Sequence, residues 1–319
     1  MLNVSEYLKN ILENNLLSNS QIDLNLVNSA QEMRTSYREI IPTAGIPDPV
    51  ERVEDTVISV NTSNKVPVRI YWPLNTDQKT NLPMILFIHG GGFVSGDLDT
   101  HDVLVRAIAN GVQAVVVSVD YRLAPEFPFP APLEDVYVSL QWMIENADML
   151  GGDIGRVAVV GDSAGGNLAA ALTLLARDIG EIRISVQWLI YPEVSNKMDT
   201  DSWKTYGETQ FPTKTLNTMF LSAYTSRVND PYISYVAPLW GNHKNLPPAL
   251  LQVGEFDPLK DETIQYAEAL SQNNVDSEVI VYPEQVHGFI QFYKDKTNHS
   301  RGEEALQVGL SFLNRYLNP

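Results

Sequence analysis

The chain contains no cysteine. That excludes disulfides, thiol nucleophiles and cysteine-held metal clusters. Positive charge is scarce: 22 Lys and Arg stand against 39 Asp and Glu, a net of −17. Nucleic-acid affinity rests largely on positive charge, so no nucleic-acid partner is expected. The five histidines are scattered and HExxH is absent, so no metal set is apparent and no cofactor is expected. No run approaches the roughly 18 apolar residues that cross a bilayer, which excludes integral membrane association. The opening MLNVSEYLKNILENNLLSNS is too polar for an export signal, so cytoplasmic residence is the expectation. Its apolar residues Leu2, Tyr7, Leu8, Ile11, Leu12, Leu16 and Leu17 recur at helical spacing and predict an amphipathic helix docked on the protein's own body. A membrane-surface helix carries Lys or Arg on its polar face, and here only Lys9 qualifies.

What is present is alternation. Apolar, β-rich runs at 53–60, 66–72, 84–88, 114–119, 156–160, 185–190, 249–253 and 277–282 predict strands. Several have no polar alternation, as strands buried on both faces require. Helical patterns fall at about 99–110, 132–147, 164–178, 258–272 and 301–317. This order predicts an α/β fold: a mostly parallel sheet of eight strands with helices on both faces, the two early strands adding an antiparallel edge. Two parts break the rhythm. One is residues 1–45; the other is 195–235, rich in Thr and aromatics such as Trp203, Tyr206, Phe211, Phe220 and Tyr224. A long insertion in a compact domain is often a lid. These parts are expected to meet as a helical cap over a core formed by 46–194 and 236–319. The aromatics either line a pocket or pack the lid down.

Gly161-Asp162-Ser163-Ala164-Gly165 is the leading motif. A GxSxG pattern arises by chance in roughly one chain in ten of this length. Its setting, after a strand and before a helix, is the context a nucleophile elbow requires. Small neighbours allow the sharp turn, and the helix start faces its amides toward a developing anion. A phosphate loop is disfavoured because no Lys follows the glycines. His89-Gly90-Gly91-Gly92 follows another strand, where glycines let backbone N–H groups approach a ligand closely. The N–H groups of Gly91, Gly92 and Ala164 are therefore candidates for an oxyanion hole. His89 precedes the turn and reads as structural.

A serine nucleophile needs a base, and the base an orienting acid, in chain order Ser, acid, His. His287 lies five residues past the strand ending at Tyr282 and is the candidate base; His299, beside the last helix, reads as a surface residue. Among Glu255, Asp257, Asp261 and Glu262, Asp257 comes just past a strand end and is the candidate acid. Asp261 and Glu262 read as first-turn charges that favour the helix dipole.

With these residues assembled, the chain resembles the hormone-sensitive lipase family, the bacterial family IV esterases. The stretches that carry the resemblance are FIHGGGFVSGD at 87–97, DYRLAPEFPFPA at 120–131, VVGDSAGGNLA at 159–169, LIYP at 189–192, VGEFDPLKDE at 253–262 and HGF at 287–289. It implies an α/β-hydrolase fold with a cap and no cofactor. It implies a Ser163–Asp257–His287 triad with Gly91, Gly92 and Ala164 as the oxyanion hole. It also implies a small-molecule ester substrate of short to medium acyl length, and a homodimer. Phe93 stands where many relatives have Trp, which is expected to alter the pocket wall but not the chemistry. Asp120, Arg122 and Glu126 are expected to be structural, held as buried charge pairs. The competing readings are an amidase or peptidase using the same triad, and a non-catalytic receptor on this scaffold. The intact HGF segment speaks against the receptor, because the related plant gibberellin receptors lack the histidine.

Overall fold

The apolar runs assemble into a single eight-stranded sheet in the computed structural model, which describes residues 3–13, 15, 23–59, 65–76 and 81–319. In chain order the elements are α1 (Val4–Ile11), α2 (Leu24–Ile40), β1 (Arg52–Ser59), β2 (Lys65–Trp72), β3 (Leu82–Ile88), α3 (Asp102–Val112), β4 (Val115–Val119), α4 (Ala131–Glu145), α5 (Ala147–Leu150) and β5 (Gly152–Asp162). There follow α6 (Ala164–Ile179), β6 (Val186–Ile190), α7 (Asp201–Tyr206), α8 (Lys214–Tyr224), β7 (Ala249–Gly254), α9 (Lys260–Gln272), β8 (Ser277–Tyr282) and α10 (Gly302–Leu317). The sheet order is β1-β2-β4-β3-β5-β6-β7-β8. Only the β1–β2 and β2–β4 pairings are antiparallel, so the early strands form the expected edge.

Sheet pleating divides the core. Met84, Leu86 and Ile88 of β3 join one cluster with residues of α1, α4, α6 and α9, whereas Ile85 and Phe87 join a second with α3 and α10. Each fully buried Leu, Ile or Phe contributes roughly 1.5–3 kcal/mol, so these unalternating strands hold helices on both faces. The amphipathic start packs inward in part: Leu8 and Leu12 are buried, joined by Val4, but Ile11, expected on the same face, is 43% exposed; Asn3 caps α1 by accepting from Glu6 N at 3.3 Å. Leu2, Leu16, Leu17 and residue 60 lie outside the described residues.

Element boundaries differ from expectation where side chains redirect the backbone. The helix expected from 99 starts at Asp102, because Asp97 Oδ1 takes the N–H groups of Asp99 and Thr100 into a turn. The helix expected from 258 starts at Lys260, because Asp257 Oδ1 accepts from Leu259 N at 2.8 Å. The strand expected over 156–160 extends through Asp162, which brings the chain directly to Ser163.

Candidate active site

Ser163 is the single residue between β5 and α6, with φ 55° and ψ −120°. Such a conformation costs a non-glycine residue of order 1–3 kcal/mol and persists only when its surroundings over-determine it. They do here. Ser163 N donates to Ile190 O at 2.9 Å, and Ser163 O accepts from Asn167 N at 3.0 Å and Glu193 N at 3.3 Å. Close approach enforces the glycine that follows: a Cβ on Gly165 would lie 2.1 Å from Ile88 O.

The two later candidates converge on the serine. His287 Nε2 lies 2.9 Å from Ser163 Oγ, and His287 Nδ1 lies 2.7 Å from Asp257 Oδ2. Asp257 is fully buried and His287 is 8% exposed. Two backbone bonds join the acid loop to the histidine loop: Glu255 N donates to Tyr282 O and Phe256 N to Gln285 O, each at 2.9 Å. The rival carboxylates are committed elsewhere. Asp261 Oδ2 accepts from Ser202 N at 2.7 Å. Glu262 is fully buried, its Oε1 accepting from Val194 N and Ser195 N and its Oε2 from Trp203 Nε1. Burial holds its carboxyl well above the usual range. It therefore binds the insertion to α9 rather than serving merely as a dipole charge.

The glycine turn after β3 faces the same point. Gly91 has φ 124°, and a Cβ there would meet Ser95 O at 2.2 Å, so only glycine fits. No protein acceptor among the described residues takes the N–H of Gly91, Gly92 or Ala164. Asp162 locks this turn to β5: its Oδ1 accepts from Gly90 N at 2.9 Å, and His101 Nε2 lies 3.1 Å away. Burial alone would raise the Asp162 carboxyl, but His101 and the Gly90 bond hold it below the usual carboxylate range. His89 is buried and stacked on Tyr121 at 4.3 Å, and burial pushes its imidazole down to about 4, a neutral structural ring as expected.

A cavity of about 320 Å³ opens over Ser163. Met33, Tyr37 and Ile40 of α2 form part of its wall; Phe211, Pro212 and Phe220 of the insertion form another. The aromatic insertion thus does both jobs: Phe211 and Phe220 face the cavity, while Trp203 and Tyr224 are packed at 1% and 0% exposure. Phe93 is not part of the wall; it is buried and stacks on Tyr224 at 3.9 Å. His299 is not a plain surface residue. It is half-buried, stacks on Phe292 at 5.8 Å and lines the cavity.

Sequence reasoning did not single out Tyr191, Glu193 or Asn217. The Tyr191 ring sits 4.6 Å from that of His287. Glu193 lines the cavity, and burial pushes its carboxyl up to about 7 against the lowering bond from Asn217. Glu193 was within reach, as a charged residue directly after the apolar strand β6 and Pro192. Asn217 carried no signal before α8 was placed.

In the charged segment 120–126, Arg122 and Glu126 pair with other elements, while among the described residues no ion pair includes Asp120, contrary to expectation. Arg122 binds Asp135 at 2.7 Å and Glu134 at 3.2 Å. Glu126 binds Arg34 at 2.7 Å. Burial, with Asp97 adding, pushes Asp120 up to about 6. Among the described residues no group of three or more His, Asp or Glu could hold a metal ion, and no helix is long and apolar enough to cross a membrane.

The family model described as alpha/beta hydrolase fold matches residues 85–291. A carboxylesterase of Mycobacterium tuberculosis, NlhH, is 40% identical over 274 residues, covering 85% of this chain and 84% of its own. An arylesterase of Saccharolobus solfataricus is 33% identical over 262 residues, 82% of this chain and 84% of its own. Among solved structures, an esterase of Pyrobaculum calidifontis superposes with TM-score 0.83 at 38% identity over 91% of this chain and 93% of that one. The thermostable metagenomic carboxylesterase EstE1 gives 0.85 at 36% identity over 91% and 98%.

Proposed function

This chain belongs to the α/β-hydrolase family, as one of its hormone-sensitive-lipase-like carboxylic ester hydrolases, and we propose that Ser163, His287 and Asp257 carry out the reaction. The observation that carries the assignment is the continuous relay of 2.9 Å from Ser163 Oγ to His287 Nε2 and 2.7 Å from His287 Nδ1 to Asp257 Oδ2. His287 Nε2 takes the serine proton as Oγ attacks the ester carbonyl. The N–H groups of Gly91, Gly92 and Ala164 hold the oxyanion, a role in which one lost donor costs about 2.7–4 kcal/mol in comparable sites. The imidazolium protonates the departing alcohol, and water, activated by the same histidine, then cleaves the acyl-enzyme. Asp257 fixes the tautomer with Nδ1 protonated and supports the cation.

The cap reading assigns 1–45 and 195–235 to one cover over the core segments 46–194 and 236–319. Its support is the shared cavity wall from α2 and the insertion, together with Arg34, which donates to Val94 O at 2.8 Å and Ala124 O at 3.1 Å. The substrates are esters of short to medium acyl length. A cavity of about 320 Å³ is at the small end of the ~300–1,000 Å³ of small-molecule sites, so activity should peak at or below about C8. A clear C16 optimum contradicts this. Homodimer formation rests on family resemblance and on Val279 and Val281, exposed on edge strand β8; sedimentation tests it.

Ser163→Ala should abolish hydrolysis of p-nitrophenyl butyrate and labelling by a fluorophosphonate while the protein stays folded. Retained labelling assigns the nucleophile elsewhere.

A further inference from the structure

The cavity walls are largely apolar, with one built exception. Glu193 and Asn217 line it at 3% and 1% exposure. Asn217 Nδ2 donates to Glu193 Oε1 at 2.9 Å. Asn217 Oδ1 is left buried without a partner, and no protein donor reaches Glu193 Oε2 among the described residues. Both side chains sit on fixed backbone. Glu193 O accepts from Asn167 Nδ2 at 2.7 Å, Glu193 N bonds the carbonyl of Ser163 itself, and Asn217 lies within α8. A buried polar atom left unsatisfied costs about 1–3 kcal/mol, and a pocket meant only for alkyl chains would need neither group.

We propose that Glu193 and Asn217 form a hydrogen-bonding subsite that selects esters carrying a hydroxyl group near the scissile carbonyl, in the acyl or the alcohol part. This rests on Ser163 as the nucleophile. The hydroxyl's partner is Glu193, because Asn217 Oδ1 is shut off from solvent: a hydroxyl donates to the carboxylate and accepts from the carboxylic acid, while Asn217 Nδ2 holds the other oxygen in place. Burial places the Glu193 carboxyl at about 7, where both of its forms are populated, and a hydroxyl suits each. An ether cannot donate to the carboxylate, and an anionic group is repelled once Glu193 ionises.

The test is a set of hydroxyl–methyl isosteres. For the acyl arm, ethyl 3-hydroxybutyrate is compared with ethyl 3-methylbutyrate; for the alcohol arm, 2-hydroxyethyl butyrate with propyl butyrate. The readout is the ratio of kcat/KM within each pair. The wild-type protein should prefer the hydroxyl in one arm by on the order of tenfold. The double variant Glu193→Leu, Asn217→Leu removes both partners and strands neither; it should lose that preference. Glu193→Gln, which keeps shape and hydrogen bonding, should retain most of it; if the double variant does not fold, the single apolar variant Glu193→Met stands in for it and should lose the preference. No preference in either arm overturns the subsite, as does a preference that survives the double variant. If the plain esters turn over normally in that case, the Ser163 assignment stands and only the subsite falls. If no ester is hydrolysed and the fluorophosphonate does not label, the nucleophile assignment falls and takes the subsite with it.

Discussion

Asp257→Asn tests the relay at one atom. In the native site Asp257 Oδ1 accepts from Leu259 N at 2.8 Å, and Oδ2 faces His287 Nδ1 at 2.7 Å. A carboxamide must place its oxygen on one side and its NH2 on the other. With the NH2 toward Leu259, two donors confront each other at a fully buried position, which costs about 1–3 kcal/mol. The amide oxygen therefore stays on Leu259 and the NH2 turns to His287. Nδ1 must then accept, so the ring proton moves to Nε2 and points at Ser163 Oγ, and the base is lost. A wrong tautomer of this kind costs about 10⁴ in kcat in comparable triads, or roughly 5.5 kcal/mol of transition-state stabilisation. The assay is kcat on p-nitrophenyl butyrate, with a thermal melt to confirm folding. A kcat within tenfold of wild type in a normally folded protein would refute the tautomer argument and move the acid elsewhere.

The remaining predictions address stability. Burial raises the Glu193 carboxyl from 4.5 to about 7, so folding favours its protonated form; this stabilisation is complete below pH 4.5 and is lost as pH rises to 7. Between pH 5 and 7 that loss is worth about 2 kcal/mol, and Glu193→Gln should remove it from the pH dependence measured by urea unfolding at those two values; an unchanged difference contradicts the burial argument. Gly165→Ala drives a Cβ to 2.1 Å from Ile88 O and should cost at least about 2 kcal/mol; a loss below half that, in the same assay, shows that the elbow can relax. Arg34→Ala removes the bonds to Val94 O, Ala124 O and Glu126 and should lower stability by about 1–2 kcal/mol and raise KM, as α2 loosens over the cavity. An unchanged KM would separate α2 from substrate binding.

Much of this protein is legible in its sequence because local rules act there. Short unalternating β-rich runs such as 84–88 read as doubly buried strands, and GDSAG between a strand and a helix demands the turn that strains Ser163. Asp257 and His287 could be chosen because strand ends deliver loop residues to one edge of a parallel sheet. Other properties depended on long-range packing. Whether Phe211 or Trp203 faced the cavity was open, since both occur in the same aromatic stretch and only the docking of α7 and α8 separates them. Glu262 looked like a helix-dipole charge until the insertion folded over it. His299 and Phe93 exchanged their expected places because ring stacking with Phe292 and Tyr224 is set by segments distant in the chain. The sequence by itself determined the strands and the elbow, which follow from periodicity and backbone sterics, and it named the candidate catalytic groups in chain order. Tertiary structure alone decided the lining of the cavity, including the pairing of Glu193 with Asn217, because a side chain's polarity says nothing of which distant residue it will meet.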